Sequence, residues 1–543
     1  MVSNDRVIFT IDVKLGGERV KNGQKICENG DKISLDEALD QLGFGRIQLL
    51  VVLAAGLCLL TVINETMGIG MLMPVAQCDL QLTSSDKGLL SAISFLGIMA
   101  SSHFWGYLAD TRGRRQMIMI TLFSTAIVTI LSSVAQNFTL FVVLRFLSGV
   151  SISGPSATIY PYLGEFNSIR NRDAVITFTS TFAGLSSVIV PALGWYLLPQ
   201  TWALEVYEGF FFRPWRLQLI LHTLPGLLAA LLVSLLPESP KFLVSQGKTE
   251  EALDIIRWIH RKNSGDSEME IRELTSEAPA KGQGDGCMRS LWHQMVPLVS
   301  FPYLIPFLLY CCLQFGVFYV CAGLGLWFPD IVNRVMQNIG DESRTLCQTI
   351  DFQPNATHIE LLDESCDDSI KTDTFLYNIF YGLIYVSGYI ILGFLIKFFG
   401  RRILLVSLLG GSAAVGLALT WLTSHTLMII LLSMHLMFAG VSISVINSSV
   451  VAVFPTHLRA TAMCITLMFG RLGTFAGSNI IGYFFDINCQ LTFFLTVGLM
   501  MCKFKIQDCN LIALFLDNSN RLLRNCKICS LALMRLSLAL IFT

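Results

Sequence analysis

Charge is what this sequence has least of. Only 14% of its 543 residues are Asp, Glu, Lys or Arg, where a soluble globular chain carries about 25%. The formal net charge is −1, so nothing points to a nucleic-acid partner. No GxxxxGK[ST] run is present, which excludes the usual nucleotide-hydrolysing loop as a driving device. No nucleophile–base constellation and no metal-ligand spacing stand out, so the chain is not read as an enzyme, and no metal or cofactor is expected. The 15 cysteines are scattered through apolar runs, where a thiol acts as a small hydrophobe. Met1–Phe44 is too polar for a cleavable leader, which leaves the first apolar run as the expected targeting signal.

What is present is length and apolarity. Residues AVILMFWYC make up 53% of the chain and the mean hydropathy is +0.60. A hydrocarbon core about 30 Å thick needs roughly 20 apolar residues per helix. Six such runs fall in the first half: Ile47–Val75, Gly88–Ala109, Met117–Ala135, Phe138–Tyr162, Ala174–Leu198 and Leu217–Leu236. The second half offers Val299–Phe328, Phe375–Phe398, Ile403–Leu422, Leu427–Phe454, Thr461–Phe485 and a weaker run from Leu491. Arginines gather in alternate short loops: Arg112, Arg114 and Arg115, then Arg170 and Arg172, then Arg401 and Arg402, then Arg459. The positive-inside rule makes that side cytoplasmic, with both termini.

One basic turn occurs twice. Gly106–Arg115 reads GYLADTRGRR and Gly393–Arg402 reads GFLIKFFGRR; SGVSIS at Ser148–Ser153 is echoed by AGVSIS at Ala439–Ser444. Punctuation repeated in order marks two related halves, a pattern of transporters with internal repeats. The expected fold is an all-α membrane bundle of about twelve helices in two six-helix halves. Its expected divisions are a cytoplasmic segment 1–45, a first half 46–236, a cytoplasmic linker 237–298, a second half 299–517 with a luminal loop 336–374, and an atypical tail 518–543. Leu35, Ala38, Leu39 and Leu42 follow a Ser34 cap at helical spacing and predict a short amphipathic helix on the membrane surface. Lys503, Lys505 and Asp508 interrupt the last run, so the twelfth helix is expected to be incomplete or displaced. The acidic loop holds the sequon at Asn355, a candidate glycosylation site, and Cys347 and Cys366, a candidate disulfide pair.

Ionisable residues inside membrane runs normally face a cavity or a partner. Glu65, Arg145 and Arg471 are such residues. Glu65 is the candidate cation or proton site; Arg145 and Arg471 would balance charge or hold an anionic group. The competing reading is a structural Glu–Arg pairing that locks helices. Tyr160, Tyr162, Trp327 and Tyr385 are candidates to line a cavity, or to pack. Asp110, Arg114 and Arg115 are placed to tie helix ends together in one state. Glu165, Arg170 and Arg172 form a second expected gate cluster, with Arg401, Arg402 and Arg459 as counterparts. The first basic turn has Asp110 where the second has Lys397, so the gate is expected to be asymmetric.

GYLADTRGRR resembles the loop signature between helices two and three of the major facilitator superfamily, and RFLSG at Arg145–Gly149 its fourth-helix motif. PESPKFL at Pro237–Leu243 and PTHLRATA at Pro455–Ala462 are similar to the signatures after helices six and ten in sugar, organic-ion and synaptic vesicle glycoprotein 2 transporters. LWFPD at Leu326–Asp330, GVSIS followed by Asn447, and PVAQCDL at Pro74–Leu80 resemble the synaptic vesicle glycoprotein 2 group and its insect-type relatives. Two departures stand out: Val62 replaces the first member of an acidic pair, and Ile446 replaces a Trp. The resemblance implies alternating-access movement of a small organic solute, coupled to protons or other ions, in a plasma or vesicle membrane. It implies Glu238 as a partner of loop arginines and Asn447 as a site residue. A non-transporting vesicle or membrane glycoprotein of the same fold, acting as a binding or trafficking partner, is the alternative.

Overall fold

The computed structural model describes residues 32–501, apart from 208–209, 265–272, 275–295, 338–344, 352–369 and 455, together with 20–21 and 24–25. Asn355, Cys366 and the tail 518–543 lie outside the described residues.

A short helix, α1 (Leu35–Leu42), begins with a reciprocal cap: the Glu37 amide donates to Ser34 Oγ, and the Ser34 amide donates to the Glu37 carboxylate at 3.1 Å. Its apolar face does not lie on lipid. Leu35, Ala38, Leu39 and Leu42 are buried among Leu253, Ile256 and Ile259 of the linker helix. An amphipathic pattern says that a face must be covered, not by what.

Six membrane-crossing segments follow: α2 and α3 (Arg46–Met67, Ile69–Leu80), α4 (Ser84–Arg112), α5 (Arg114–Ser133), α6 (Phe138–Glu165), α7 (Ile169–Leu197), and α8 with α9 (Pro214–Leu221, Leu224–Leu235). The linker contributes α10 (Pro240–Ser245) and α11 (Thr249–Ser264), packed under the first half. The second half begins with α12 (Leu304–Phe318), then a π turn at Tyr319–Leu324, a 3-10 turn at Gly325–Trp327, and α13 (Phe328–Gln337). The sequence suggested one unbroken run here. Gly323 packs against the backbone of Gly477, where an added Cβ would stand 2.9 Å from its Cα, and the widened turn sits at that close approach. After α14 (Leu346–Asp351) come α15 (Thr372–Ala418), α16 (His425–Val453), α17 (Thr456–Ile487) and α18 (Cys489–Met501).

Among the described residues, ten helices are long and apolar enough to cross a membrane. The 32-residue α17 is not one of those ten, and α18 is a shorter apolar helix. Both copies of the basic turn use glycine for the same reason. Gly113 has φ 104° and Gly400 has φ 71°, a left-handed region that side-chain-bearing residues rarely adopt. Gly400 thereby kinks α15, which is two helices joined at that residue. The halves meet along two seams, α4 against α17 and α7 against α15.

Cys347 is bonded to Cys489, not to Cys366, with the two Cα atoms 5.4 Å apart. The bridge joins α14 to the start of α18 across 142 residues, a juxtaposition that only the folded bundle creates.

Candidate functional site

A buried charge cluster lies inside the first half. Glu65 and Arg145 are buried, with 1% and 0% of their surface exposed. Arg145 Nη1 donates to Glu65 Oε2 at 2.9 Å, and its Nη2 donates to the Glu65 backbone carbonyl. Thr129 and Ser148 hydroxyls donate to the same carboxylate oxygen at 2.9 and 3.0 Å. Glu65 Oε1 and Arg145 Nε have no hydrogen-bond partner. Three helices, α2, α5 and α6, thus converge on one carboxylate. Glu65 is held as an ion pair, the structural alternative raised by the sequence. Val62 is buried one turn earlier, in an apolar group with Ile98 and Ile152.

Arg471 behaves differently. It projects from α17 to the other half, where Nη1 donates to Ser102 at 2.7 Å and Nη2 to Ser156 at 3.0 Å. Among the described residues it has no carboxylate partner. A guanidinium held at membrane depth by two neutral hydroxyls leaves its charge uncompensated. Sixteen positions into a 32-residue helix, it sits near mid-depth.

The second half also carries neutral polar groups. Gln314 of α12 donates to Asn447 Oδ1 at 2.6 Å and keeps its own buried Oε1 unpartnered. The buried Tyr319 hydroxyl is likewise unpartnered. Tyr381, Tyr385 and Tyr389 form a ladder up α15, with ring centroids 5.8 and 5.3 Å apart. In the first half the Tyr160 hydroxyl bonds Ser180 at 3.2 Å. Ser156, which Arg471 bonds, lies one turn before Tyr160 on α6, and the Tyr385 ring stands against Gly440 of α16, the helix that carries Asn447. Trp327 is packing: its indole N–H donates to the Ser478 carbonyl at 3.0 Å and its ring packs edge-on against Phe485. Tyr162 is also packing, its hydroxyl donating to the Pro237 carbonyl. Gln314 was missed in the sequence, although a lone amide in an apolar run was the available signal.

At the basic face none of the described ion pairs reaches the second half. Glu238 accepts from the Arg114 and Arg115 amides, each at 3.1 Å, and so caps the N-terminus of α5. Arg115 returns the favour to α9, donating to the Val233 and Ser234 carbonyls at 3.2 and 2.6 Å. A carboxylate on a helix N-terminus and a guanidinium on a helix C-terminus both complement the helix dipole. Arg114 pairs with the buried Glu165, which also accepts from Ser239. Its link to Asp110 is 3.3 Å long and exposed. Arg172 reaches the Gly164 carbonyl at 2.9 Å and Asp36 of α1 at 3.7 Å. Arg401 and Arg402 are exposed beside Gly400. The side chains of Arg170, Lys397 and Arg459 lie outside what is described.

Residues 55–337, more than half of the chain, match the model of the Major Facilitator Superfamily. The chain belongs to this superfamily. It is 27% identical over 352 residues to synaptic vesicle glycoprotein 2A of Rattus norvegicus, covering 60% of this chain and 46% of that protein. To synaptic vesicle glycoprotein 2B of Homo sapiens it is 27% identical over 341 residues, covering 59% and 49%. The chain thus spans about half the length of these curated relatives. In fold it is similar to the xylose transporter XylE from E. coli in a partially occluded inward-open conformation, with TM-score 0.57, 15% identity, and 87% and 99% of the two chains covered. The proton:xylose symporter XylE bound to 6-bromo-6-deoxy-D-glucose gives TM-score 0.58 at 17% identity, covering 86% and 95%.

Proposed function

We propose that the chain moves a small organic solute across a membrane by alternating access, with an anionic group of the solute drawn to Arg471. The observation that carries this reading is the cross-half geometry of Arg471. It belongs to the second half, is held by Ser102 and Ser156 of the first, and keeps an uncompensated charge. A solute carboxylate or sulfonate could replace the serine hydroxyls and satisfy that charge. Gln314, Tyr319, Asn447 and Tyr385 would supply neutral hydrogen bonds and ring surface to the rest of the solute.

Glu65 is the coupling candidate. Protonating it would dissolve the pair with Arg145 and loosen α2 from α6. That XylE is a proton:xylose symporter makes proton coupling the first ion to test. The arginine-rich loops favour a cytoplasmic location for the basic face and for both termini. The divisions at 1–45, 46–236, 237–298 and 299–517 are kept as the working domain scheme, with the membrane being the plasma or a vesicle membrane.

The similarity to synaptic vesicle glycoproteins favours a second reading: a non-transporting membrane glycoprotein with the same fold that binds a ligand or a trafficking partner. Purified protein in liposomes, given panels of organic anions, cations and sugars under two pH gradients, separates the two. Counterflow of an organic anion supports transport. Saturable binding without counterflow of any solute supports the second reading.

A further inference from the structure

On the face opposite the basic loops, a buried charge cluster joins the two halves. Lys87 lies in the first turn of α4 and Asp330 in the first turn of α13. Lys87 Nζ donates to Asp330 Oδ1 at 2.9 Å, and both side chains are 7% exposed. Arg334, one turn along α13, donates to Asp330 Oδ2 at 2.8 Å. Among the described residues, Lys87–Asp330 is the one ion pair that crosses between the halves. The backbones close up beside it: Ser478 Oγ of α17 donates to the Gly88 carbonyl at 3.1 Å, and Trp327 is tied to Ser478 from the other flank.

We propose that Lys87, Asp330 and Arg334 form a reversible lock that holds this face shut, the reading resting on the alternating-access function above. Their division of labour follows from chemistry. Asp330 is held from its own helix by Arg334. When Lys87 leaves, that carboxylate keeps a cationic partner, so opening does not strand a buried anion. Lys87 is the separable half: at the N-terminal end of α4 its charge opposes the helix dipole, and an opened crevice would hydrate it. A lock made this way is strong when dry and inexpensive to release when wet. Hydration of the crevice, or an anionic solute competing for Lys87, would trip it.

The test uses a thiol in place of Ser91, a residue 2% exposed and one turn deeper than Lys87 on the same face of α4. A membrane-impermeant maleimide applied to that side of oriented proteoliposomes labels it only when the face opens. Lys87→Met keeps the side chain's bulk and removes its charge. It should raise the initial labelling rate about tenfold, the effect of one charge-assisted contact on a two-state equilibrium. Lys87→Arg should restore the slow rate. Lys87→Glu, which sets like charges together, should raise it further. In the same Lys87→Glu protein, labelling of the exposed native Cys464 from the basic side should slow. No change in Ser91→Cys labelling across the series overturns the lock, and leaves counterflow to decide on transport. A rise without slower Cys464 labelling signals local fraying, and overturns both the lock and the two-state reading.

Discussion

Removing Arg145 should be far more damaging than its neutral context suggests, and much of that damage should vanish when Glu65 is neutralised as well. In Arg145→Leu the Glu65 carboxylate stays buried with only Thr129 and Ser148 as donors. Stranding one member of a buried pair destabilises by about 3–5 kcal/mol. In Glu65→Gln the amide oxygen still accepts from both hydroxyls, and Arg145 keeps the Glu65 backbone carbonyl. The guanidinium is nevertheless left buried without a counter-ion, so this variant too should lose about 3–5 kcal/mol. The double variant contains no buried ion, so its loss should fall about 2 kcal/mol or more short of the sum of the singles. Unfolding in detergent can be followed by a thiol-reactive dye, because Cys58 and Cys311 are free and buried in the native state. Additivity of the single effects to within about 0.5 kcal/mol would refute the coupling, and with it the claim that this cluster is one electrostatic unit.

The reciprocal capping at the basic face makes a contrast with Asp110. Glu238→Gln should lower stability by about 1–2 kcal/mol through its lost hold on the α5 amides; an unchanged melting curve would contradict the cap. Asp110→Asn touches an exposed 3.3 Å contact and should change stability by no more than about 1 kcal/mol, while Glu165→Gln strands Arg114 and should do more damage. The reverse order in melting temperature would restore Asp110 as the main tie. Cys489→Ser should make Cys347 reactive to a maleimide-polymer tag without prior reduction; an unchanged band would mean Cys347 has another partner.

Much of the architecture was legible from short stretches of chain. The two GRR turns are local, and their glycines adopt the left-handed backbone that a sharp reversal between spans requires. The Ser34 cap and the Leu35–Leu42 stripe are local as well, and the helix formed where the pattern placed it. What lay on that stripe was not local, and it proved to be the linker helix instead of lipid. Glu65 and Arg145 were conspicuous as charges in apolar runs. That they satisfy one another across 80 residues needed the bundle. Lys87 and Asp330 escaped notice for the opposite reason. Each sits at a helix end, where a charge usually meets water, and only the fold brings together two residues 243 positions apart. Gln314 was hidden by its neutrality, since an amide does not disturb hydropathy as a charge does. Proximity in sequence pairs Cys347 with Cys366, but proximity has little bearing on a loop closed by tertiary packing across 142 residues.

The central claim is a solute site shared by the two halves, with Arg471 at its charged end. Counterflow of a labelled organic anion in proteoliposomes tests it most directly. Wild type should accumulate the anion. Ser102→Ala with Ser156→Ala should keep that activity at an altered KM, because the charge remains. Arg471→Gln should abolish it while melting near the wild-type temperature. Anion counterflow at the wild-type rate in Arg471→Gln would contradict the account.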